Sequence, residues 1–462
     1  MTRRSALLLL GAGVAALVLT VPAAAGPASN RFTPGLHLTA EFPYGLVQAE
    51  PSVQVMPDTG DIFVAAPAST PIGCEVWKVS PDARSFTFRG APDSGVGGGD
   101  CDLSAAPAAS GAAEPTIAYA SLTLPNLTVG NSTDGGQTWS TPNPAGSQIV
   151  GTDRQWMTTA TDGTIYMSYH ILETNNIAVA ASTDGGLTYV DRGLAIDPLH
   201  IAQSLYNNEL GPILENPRSP LPTKPLYTIF TAPKTALENV NSVAGTLQTA
   251  NDGVYLATSL DAGHTWVDTP IYEGSGAETY DHIFPALSVD KEGGLWAAWS
   301  SERSIYAAYR APGTTSWTTP IQANSTGVAN IYPWIVGGKG GRADVVWYGG
   351  TGSTIADANN QWNVYMAQLQ VNHFGPATKS VTVASDHVIH SGQICTTGVT
   401  CPGTSRSLLD FFQIDLTNDG RAVIAWADDS QDTTGQGASQ IFVTEQCGGI
   451  SATTGRQMPD TC

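Results

Sequence analysis

The turn Ser132-Thr-Asp-Gly-Gly-Gln-Thr-Trp139 decides the fold, because it recurs as Ser182-Thr-Asp-Gly-Gly-Leu-Thr-Tyr189 and, in altered form, as Ser259-Leu-Asp-Ala-Gly-His-Thr-Trp266. The aspartates of the three turns, Asp134, Asp184 and Asp261, lie 50 and 77 residues apart. In such a turn the carboxylate accepts backbone N–H bonds and glycine takes a positive φ, while the aromatic residue packs into the sheet. We therefore interpret these aspartates as structural groups that stabilise the hairpin turns, and not as catalytic groups.

A short apolar strand follows a turn glycine or a proline at seven places, and a strand with a polar start precedes each of them. The polar starts are EPSVQV at 50, GDCDLSA at 99, DRQWMTTA at 153, NNELGPIL at 207, DHIFPALSV at 281, YPWIVG at 332 and LDFFQIDL at 409. Long 3.6-residue periodicity is missing, which argues against helices. The repeats predict an all-β protein with one seven-bladed β-propeller, six blades being the alternative. Residues 35–41 are expected to pair with the last blade and close the ring.

The N-terminus has the order of a secretory signal peptide over residues 1–25: Arg3 and Arg4, an apolar run, then three small residues. It predicts a secreted, extracellular protein with a propeller over 32–447 and a tail over 448–462. In an exported chain six cysteines suggest disulfides, and three pairings close short loops. These pairings are Cys74–Cys101, Cys395–Cys401 and Cys447–Cys462, the last of which would tether the tail.

A formal net charge of −20 makes nucleic acid and anionic lipid unfavourable partners. No stretch after the signal peptide is long and apolar enough to span a bilayer, so we expect no membrane span. We also expect a monomer. The chain has no CxxC motif and no Cys/His cluster, so we expect no zinc site and no cofactor. Asp428, Asp429 and Asp432 form either a solvated acidic loop or a structural calcium site.

The three turns at blade spacing resemble the Asp-box (BNR) repeats of the sialidase, or neuraminidase, superfamily over about residues 32–447. The strings GGGDCDL, GTDRQW, WYGG and LLDFF also resemble secreted actinobacterial sialidase-like proteins. The resemblance implies a glycosidase with three arginines on the substrate carboxylate, a Tyr–Glu nucleophile pair and an aspartate as acid/base. Family sialidases have six blades, and this chain has Glu50-Pro51-Ser52-Val53 where the family has an early Arg-Ile-Pro motif. An arginine triad here would need Arg154, Arg406 and one of Arg303, Arg310 or Arg342.

The polar residues that open the inner strands are the candidate site, because inner strands of a propeller converge on its central channel. The catalytic candidates are Asp100, Asp153, Glu209, Asp281, His282 and Asp410. The substrate-binding candidates are Arg154, Arg406, Trp156, Tyr280, Phe284, Trp334 and Phe411. Glu50, Asp102, Asn208 and Tyr332 open inner strands too. The alternative for each aspartate is a tie between adjacent blades, for Asp153 and Arg154 an ion pair, and for His282 a hydrogen-bonded histidine.

Three functions fit this pattern. The first is a sialidase-like glycoside hydrolase acting on a glycan or glycoconjugate, with an acidic sugar as one substrate class. The second is a non-catalytic propeller that binds carbohydrate or protein. The third is a lyase or metal-dependent hydrolase that uses the channel acids. Convergence of the arginines discriminates among them.

Overall fold

A computed structural model of the chain describes residues 30–39, 48–68, 73–106, 114–123, 126–205, 207–243, 251–325, 328–372, 376–398, 401, 403–432 and 437–462. The signal peptide predicted at 1–25 lies outside these residues. The described chain is a seven-bladed β-propeller, as the repeats predict. Its helical segments are α1 (Ile201–Ser204), α2 (Ala236–Val243) and a 3₁₀ turn (Gly403–Arg406). None of the described helices has the length and apolarity needed to cross a bilayer.

Two short strands, β1 (Arg31–Phe32) and β2 (Leu36–Leu38), precede the first blade. The first four blades are antiparallel meanders whose first strand is innermost. Blade one has β3 (Ser52–Val55), β4 (Ile62–Pro67), β5 (Cys74–Val79) and β6 (Phe86–Gly90), and blade two has β7 (Cys101–Ala106), β8 (Thr116–Thr123) and β9 (Asn126–Ser132). Blade three has β10 (Thr152–Thr159), β11 (Ile165–Ile171), β12 (Ile177–Ser182) and β13 (Val190–Leu194), and blade four has β14 (Glu209–Glu215), β15 (Leu226–Ala232), β16 (Gly253–Ser259) and β17 (Val267–Glu273).

The remaining three blades follow the same plan. Blade five has β18 (Ala286–Val289), β19 (Leu295–Ser300), β20 (Ile305–Arg310) and β21 (Ile321–Gln322). Blade six has β22 (Asn330–Gly337), β23 (Arg342–Gly350), β24 (Gln361–Gln370), β25 (Thr378–Val383) and β26 (His390–Ser391). Blade seven has β27 (Gln413–Leu416), β28 (Ala422–Asp428), β29 (Gln440–Ile450) and β30 (Gln457–Met458).

The inner strands β3, β7, β10, β14, β18, β22 and β27 form a closed ring, in which each neighbours the next and β27 neighbours β3. The N-terminal strands complete blade seven by pairing with β29. The pairing of Leu36–Leu38 with Ile441–Val443 confirms the predicted closure, although residues 40–41 of the predicted strand lie outside the described part. All three predicted disulfides are present, and the bond between Cys447 and Cys462 ties the C-terminus to β29.

The core lies between blades and is made by the second and third strands. The strands β4, β12, β15, β19 and β28 are buried along their whole length, because both of their faces pack against other blades. Outer strands such as β17 and β25 have mostly exposed or half-buried residues. This burial explains why the second strands have unbroken apolar sequences rather than alternating ones.

The three repeated turns join the third strand of a blade to its outer edge, and their aspartates act as locks. In the first turn, the carboxylate of Asp134 accepts hydrogen bonds from the backbone N–H (2.9 Å) and the hydroxyl (2.6 Å) of Thr138. Asp184 and Asp261 make the same pair of bonds to Thr188 and Thr265. The structural interpretation of these aspartates is therefore supported by their contacts.

Side-chain ties hold adjacent inner strands together at the far end of the channel. In each tie a side-chain oxygen of one inner strand accepts a hydrogen bond from a backbone N–H of the next. The accepting and donating residues are Gln413 and Val53 (3.0 Å), Asp415 and Val55 (2.7 Å), Gln54 and Ala105 (2.6 Å), Asp102 and Met157 (2.7 Å), and Ser288 and Gly337 (2.9 Å). These residues surround a cavity of about 210 Å³ to which all seven blades contribute. We call this region the lower channel.

Candidate active site

The polar starts of the inner strands gather at the opposite end of the channel, which we call the mouth. Because every inner strand leads from the mouth to the lower channel, residues early in each strand lie near one another. Contacts between them support this, because the backbone N–H of Asp410 donates to Oε1 of Glu50 (3.2 Å) and Nη1 of Arg154 lies 4.0 Å from Oε2 of Glu50. Burial, followed by the charges of Asp281, Asp410 and Asp153, raises the pKa of Glu209 to about 8. The structure thus brings four of the predicted catalytic carboxyls together.

Glu50 and Asp100 belong to the same group of acids. Burial places the pKa of Glu50 well above its ordinary value, with contributions from the charges of Asp100 and Asp410, while Arg154 and Arg406 oppose the shift. Burial and the charge of Asp100 likewise raise the pKa of Asp153. Carboxyl groups that share a poorly solvated site cannot all ionise easily, and such sets are typical of catalytic sites.

Arg406 and Asp410 form a bidentate ion pair at the mouth. The Nη1 and Nη2 groups of Arg406 donate to Oδ1 (2.6 Å) and Oδ2 (2.5 Å) of Asp410. Arg406 ends the 3₁₀ turn, so one short segment places both residues. Burial still outweighs this partner and raises the pKa of Asp410 to about 6. The fork uses the donor geometry by which arginine would grip a substrate carboxylate.

Arg154 is held by aromatic rings. Its guanidinium lies 3.7 Å from the ring centre of Trp156 and 4.1 Å from that of Phe411, and Nη1 is 4.0 Å from Oε2 of Glu50. The side chain is only 3% exposed. In the described part of the chain none of its three side-chain nitrogens has a hydrogen-bond partner. Stacking on the two rings therefore positions this cation beside the carboxyl of Glu50.

Four predicted substrate-binding aromatics close the channel below the acids. Trp156, Phe284, Trp334 and Phe411 come from four blades and contact one another, with ring centres 4.8 Å apart for Trp156 and Phe411 and 4.9 Å apart for Trp156 and Trp334. None is more than 9% exposed. We call them the aromatic plug. The sequence predicts a flat open surface for sugar rings, whereas most of their area is used in packing against each other.

The backbone at the strand starts takes unusual conformations. Glu50, Arg154, Tyr332 and Leu409 all have positive φ, at 51°, 30°, 57° and 52°. Bulges interrupt the pairing of β10 next to Arg154 and of β22 next to Tyr332. Non-glycine residues adopt positive φ rarely, and such residues concentrate at functional sites. The bulges and turned residues re-aim side chains that a regular strand would direct elsewhere.

His282 lies between two carboxylates on blade five. Its Nδ1 is 3.6 Å from Oδ1 of Asp281 and its Nε2 is 3.8 Å from Oε2 of Glu302. The side chain of His282 is 10% exposed, while Asp281 and Glu302 are 36% and 32% exposed. Glu302 belongs to the loop between β19 and β20, and the sequence offers no signal that would single it out. The imidazole and the two carboxylates therefore form one polar group at the edge of the mouth.

Tyr332 and Tyr280 have different surroundings although both open inner segments. The hydroxyl of Tyr332 is buried without a hydrogen-bond partner in the described residues, and burial followed by the charge of Asp410 places its pKa well above the ordinary value. Tyr280 instead packs in an aromatic cluster with Tyr272, Trp299 and Tyr306, between blades four and five. The structure therefore brings Tyr332 to the site and keeps the predicted substrate contact Tyr280 away from it.

A third arginine does not join Arg154 and Arg406 in the described part of the molecule. Arg310 lies over the rings of Tyr227 and Trp317, and Arg342 donates to the carbonyl oxygens of Ala452 and Thr453. Arg303 is exposed in the loop after β19. The arrangement lacks the three converging arginines that the sialidase resemblance implies.

Other polar residues of the inner strands, of their neighbours and of the acidic loop are engaged in hydrogen bonds. His170 hydrogen-bonds Asn208 (2.7 Å), the residue before Glu209, and burial lowers the pKa of His170 to about 4. Asp102 makes the inter-blade tie that the sequence offered as its alternative role. In the acidic loop, Asp428 bonds His387 and Asp429 bonds His390 (2.8 and 2.7 Å).

Comparison with known proteins adds little beyond the fold. No protein family model matches the chain, and no curated protein matches it. Among solved structures, a GH74 enzyme of Niastella koreensis is 14% identical over 82% of this chain and 51% of its own, with a TM-score of 0.48. An α-L-arabinanase of Penicillium chrysogenum is 11% identical over 91% of this chain and 98% of its own (TM-score 0.45). An intramolecular trans-sialidase of Ruminococcus gnavus is 10% identical over 86% and 94% (TM-score 0.42). Similarity at this level concerns fold alone, so function has to be argued from the mouth itself.

Proposed function

We propose that this protein is a secreted glycoside hydrolase that cleaves a glycan at the mouth of its central channel. The observation that carries the proposal is the set of acids at the mouth, where Asp410 is paired with Arg406 and Glu50 lies beside Arg154, while Glu209 has no cationic partner among the described residues. Burial, followed by the charges of Asp281, Asp410 and Asp153, raises the pKa of Glu209 to about 8, which favours its protonated form at neutral pH. Glycosidic cleavage needs one carboxyl that gives a proton to the leaving oxygen and another that acts as base or nucleophile. Glu209 takes the first role and Asp281, which solvent reaches, takes the second.

The charge balance of the mouth favours a neutral sugar over the acidic sugar considered from the sequence. Both arginines of the mouth already face carboxyls, Arg406 in a fork with Asp410 and Arg154 beside Glu50. Asp100, Asp153 and Asp281 add further negative charge. A substrate carboxylate would meet more repulsion than attraction there, whereas sugar hydroxyls can donate to the carboxylates.

The second candidate is a glycan-binding propeller without catalysis. The aromatic plug favours it, because its rings pack on one another and leave hydrogen-bonding groups, rather than an apolar cleft, to hold a sugar. Both functions use the same residues to hold the sugar. Only hydrolysis requires a protonated Glu209 next to Asp281.

Release of methylumbelliferone from a panel of neutral glycosides, uronides and a sialoside separates these functions. We expect turnover of a neutral glycoside, and Glu209→Gln, Asp281→Asn and Asp153→Asn should each lower kcat/KM by at least about 100-fold. Because the general acid must be protonated, wild-type kcat/KM should fall as pH rises through about 8. Asp134→Asn, which alters an outer turn, is the control and should retain wild-type turnover.

Three results would count against hydrolysis of neutral glycans. If all three variants turned over substrate at the wild-type rate, the catalytic roles assigned to these acids would be wrong. Turnover of the sialoside alone would overturn the argument from charge. No turnover anywhere, combined with saturable glycan binding that Asp281→Asn weakens, would establish the binding propeller instead.

A further inference from the structure

A second cluster of ligand-type side chains lies away from the mouth, between blades three and four. Asp197 and His200 belong to the segment that joins β13 to α1, and Asp268 lies on β17. Each of the three residues has a potential metal-ligand atom, and these three atoms lie within 4.8 Å of one another. The sequence predicts no zinc site, because it has no CxxC motif and no Cys/His cluster, and these two aspartates are 71 residues apart.

The two aspartates are interlocked. Oδ2 of Asp268 accepts the backbone N–H of Asp197 (2.8 Å), and Oδ2 of Asp197 accepts the backbone N–H of Asp268 (2.9 Å). Nδ1 of His200 lies 2.9 Å from Oδ1 of Asp197 and 3.8 Å from Oδ2 of Asp268. The imidazole is therefore already directed at both carboxylates. This preorganisation fixes the three side chains without any added ligand.

The interlock leaves one strong acceptor unused. The side chain of Asp268 has no solvent exposure, and its Oδ1 has no hydrogen-bond partner within the described residues. No lysine or arginine of the described chain lies within ion-pair distance of either aspartate. A buried carboxylate oxygen without a donor is costly, and a bound cation would satisfy it.

We propose that Asp197, His200 and Asp268 bind a divalent transition metal ion of the Zn²⁺ type. One imidazole nitrogen with carboxylate oxygens suits Zn²⁺, whereas Ca²⁺ and Mg²⁺ prefer oxygen ligands alone. Because a neutral imidazole binds metal through an unprotonated nitrogen, the proton of His200 moves from Nδ1 to Nε2 on binding, and the metal takes its former place between His200 and Asp197. His200 is 23% exposed, which gives the ion a route of entry and room for a water ligand.

The site would act as a clamp, independent of the reaction proposed for the mouth. It joins the end of blade three to the outer strand of blade four. The loop that it anchors continues through α1 to Asn208 and Glu209, so the clamp would steady one side of the mouth. Its occupancy can be measured without any glycoside.

The test uses the full-length protein after removal of metals with a chelator and dialysis. Calorimetric titration with ZnCl₂ should show one ion per chain, and thermal denaturation should show a raised Tm when Zn²⁺ is present. His200→Gln and Asp268→Asn should each weaken binding by at least about 10-fold. MgCl₂ or CaCl₂ at the same concentration should not reproduce the rise in Tm.

His264→Gln is the matched control, because His264 lies near the same blade boundary, where Nη1 of Arg192 is 3.2 Å from its Nε2, and is not part of the cluster. It should bind Zn²⁺ as the wild type does. Absence of heat and of a Tm change up to millimolar ZnCl₂ would overturn the proposal. Equal affinity in wild type, His200→Gln and Asp268→Asn would do so as well, and the partly exposed His200 makes that variant informative even if Asp268→Asn does not fold.

Discussion

The mouth and the lower channel are formed by the same seven strands and both are lined with polar side chains, yet their polar groups have different partners. In the lower channel, oxygens of Gln54, Asp102 and Asp415 each accept a backbone N–H from the next inner strand. At the mouth, Asp153 accepts only the N–H of the residue that follows it, and Arg154 has no hydrogen bond from its side chain within the described residues.

Blade two shows the difference within one strand. Asp100 and Asp102 are separated by one residue, Cys101, so a regular strand would direct both side chains to the same face. Asp102 forms a tie to Met157, whereas Asp100 acts on Glu50, Asp153 and Asp410 through its charge. The two aspartates thus have different roles. Their position along the channel determines which of them forms a structural hydrogen bond and which is a candidate catalytic group.

The largest effect on stability is expected from a buried base that supports the mouth. His170 bonds Asn208 and has a pKa of about 4, so the folded state keeps it neutral. An unfolded histidine binds a proton near pH 6.5, and the folded state loses stability as pH falls from there toward 4, by about 1.4 kcal/mol per pH unit. Urea unfolding of wild type and His170→Gln from pH 7 to pH 4 measures this loss.

The quantity to compare is the difference in the free energy of unfolding between wild type and His170→Gln at each pH. All other groups titrate in both proteins, so their contributions cancel in this difference. The wild type should lose roughly 3 kcal/mol relative to His170→Gln over that range. A difference that stays constant with pH would show that His170 is not kept neutral. The pH response of the mouth would then have to come from its carboxyls alone.

The second prediction compares Asp102 with Asp153 directly. Asp102→Ala leaves the N–H of Met157 without its acceptor and should lower the free energy of unfolding by about 1–3 kcal/mol. Asp153→Ala removes no inter-blade bond and relieves repulsion from Asp100, so its effect should stay within about 0.5 kcal/mol. Urea unfolding at pH 7 provides both values, and Asp102→Asn, which keeps an accepting oxygen, is the control. Equal losses for the two alanine variants would abolish the distinction between mouth and lower channel.

The sequence predicts the ring well because each blade repeats the same local chemistry. A turn glycine or proline, a polar strand start and an apolar second strand recur in seven units, and each of the seven inner strands overlaps the stretch predicted for it. The disulfides follow from short loops, and the closure by Leu36–Leu38 follows from the need to cover an edge.

Side-chain surroundings at the site are predicted less well, because they depend on bulges and on residues distant in sequence. Tyr280 and the four aromatics of the plug all lie near the starts of inner strands. Tyr280, however, packs between two blades, whereas the plug aromatics pack on each other. Glu302 reaches the mouth from a loop with no motif. The positive φ of Arg154 and Tyr332 sets directions that no periodicity in the sequence encodes.

A smaller loss than that of Asp102→Ala is expected at the outer turns, which extend the comparison to a third region. The carboxylate of Asp184 accepts the N–H (3.0 Å) and the hydroxyl (2.6 Å) of Thr188, bonds as short as those of the lower channel but exposed to solvent. Water can replace the lost acceptor, so Asp184→Ala should cost only about 1 kcal/mol, less than Asp102→Ala. Urea unfolding measures the loss, and Asp184→Asn, which keeps one accepting oxygen, should cost less than the alanine variant. A loss as large as that of Asp102→Ala would mean that the turns, and not the ties between inner strands, hold the blades in place.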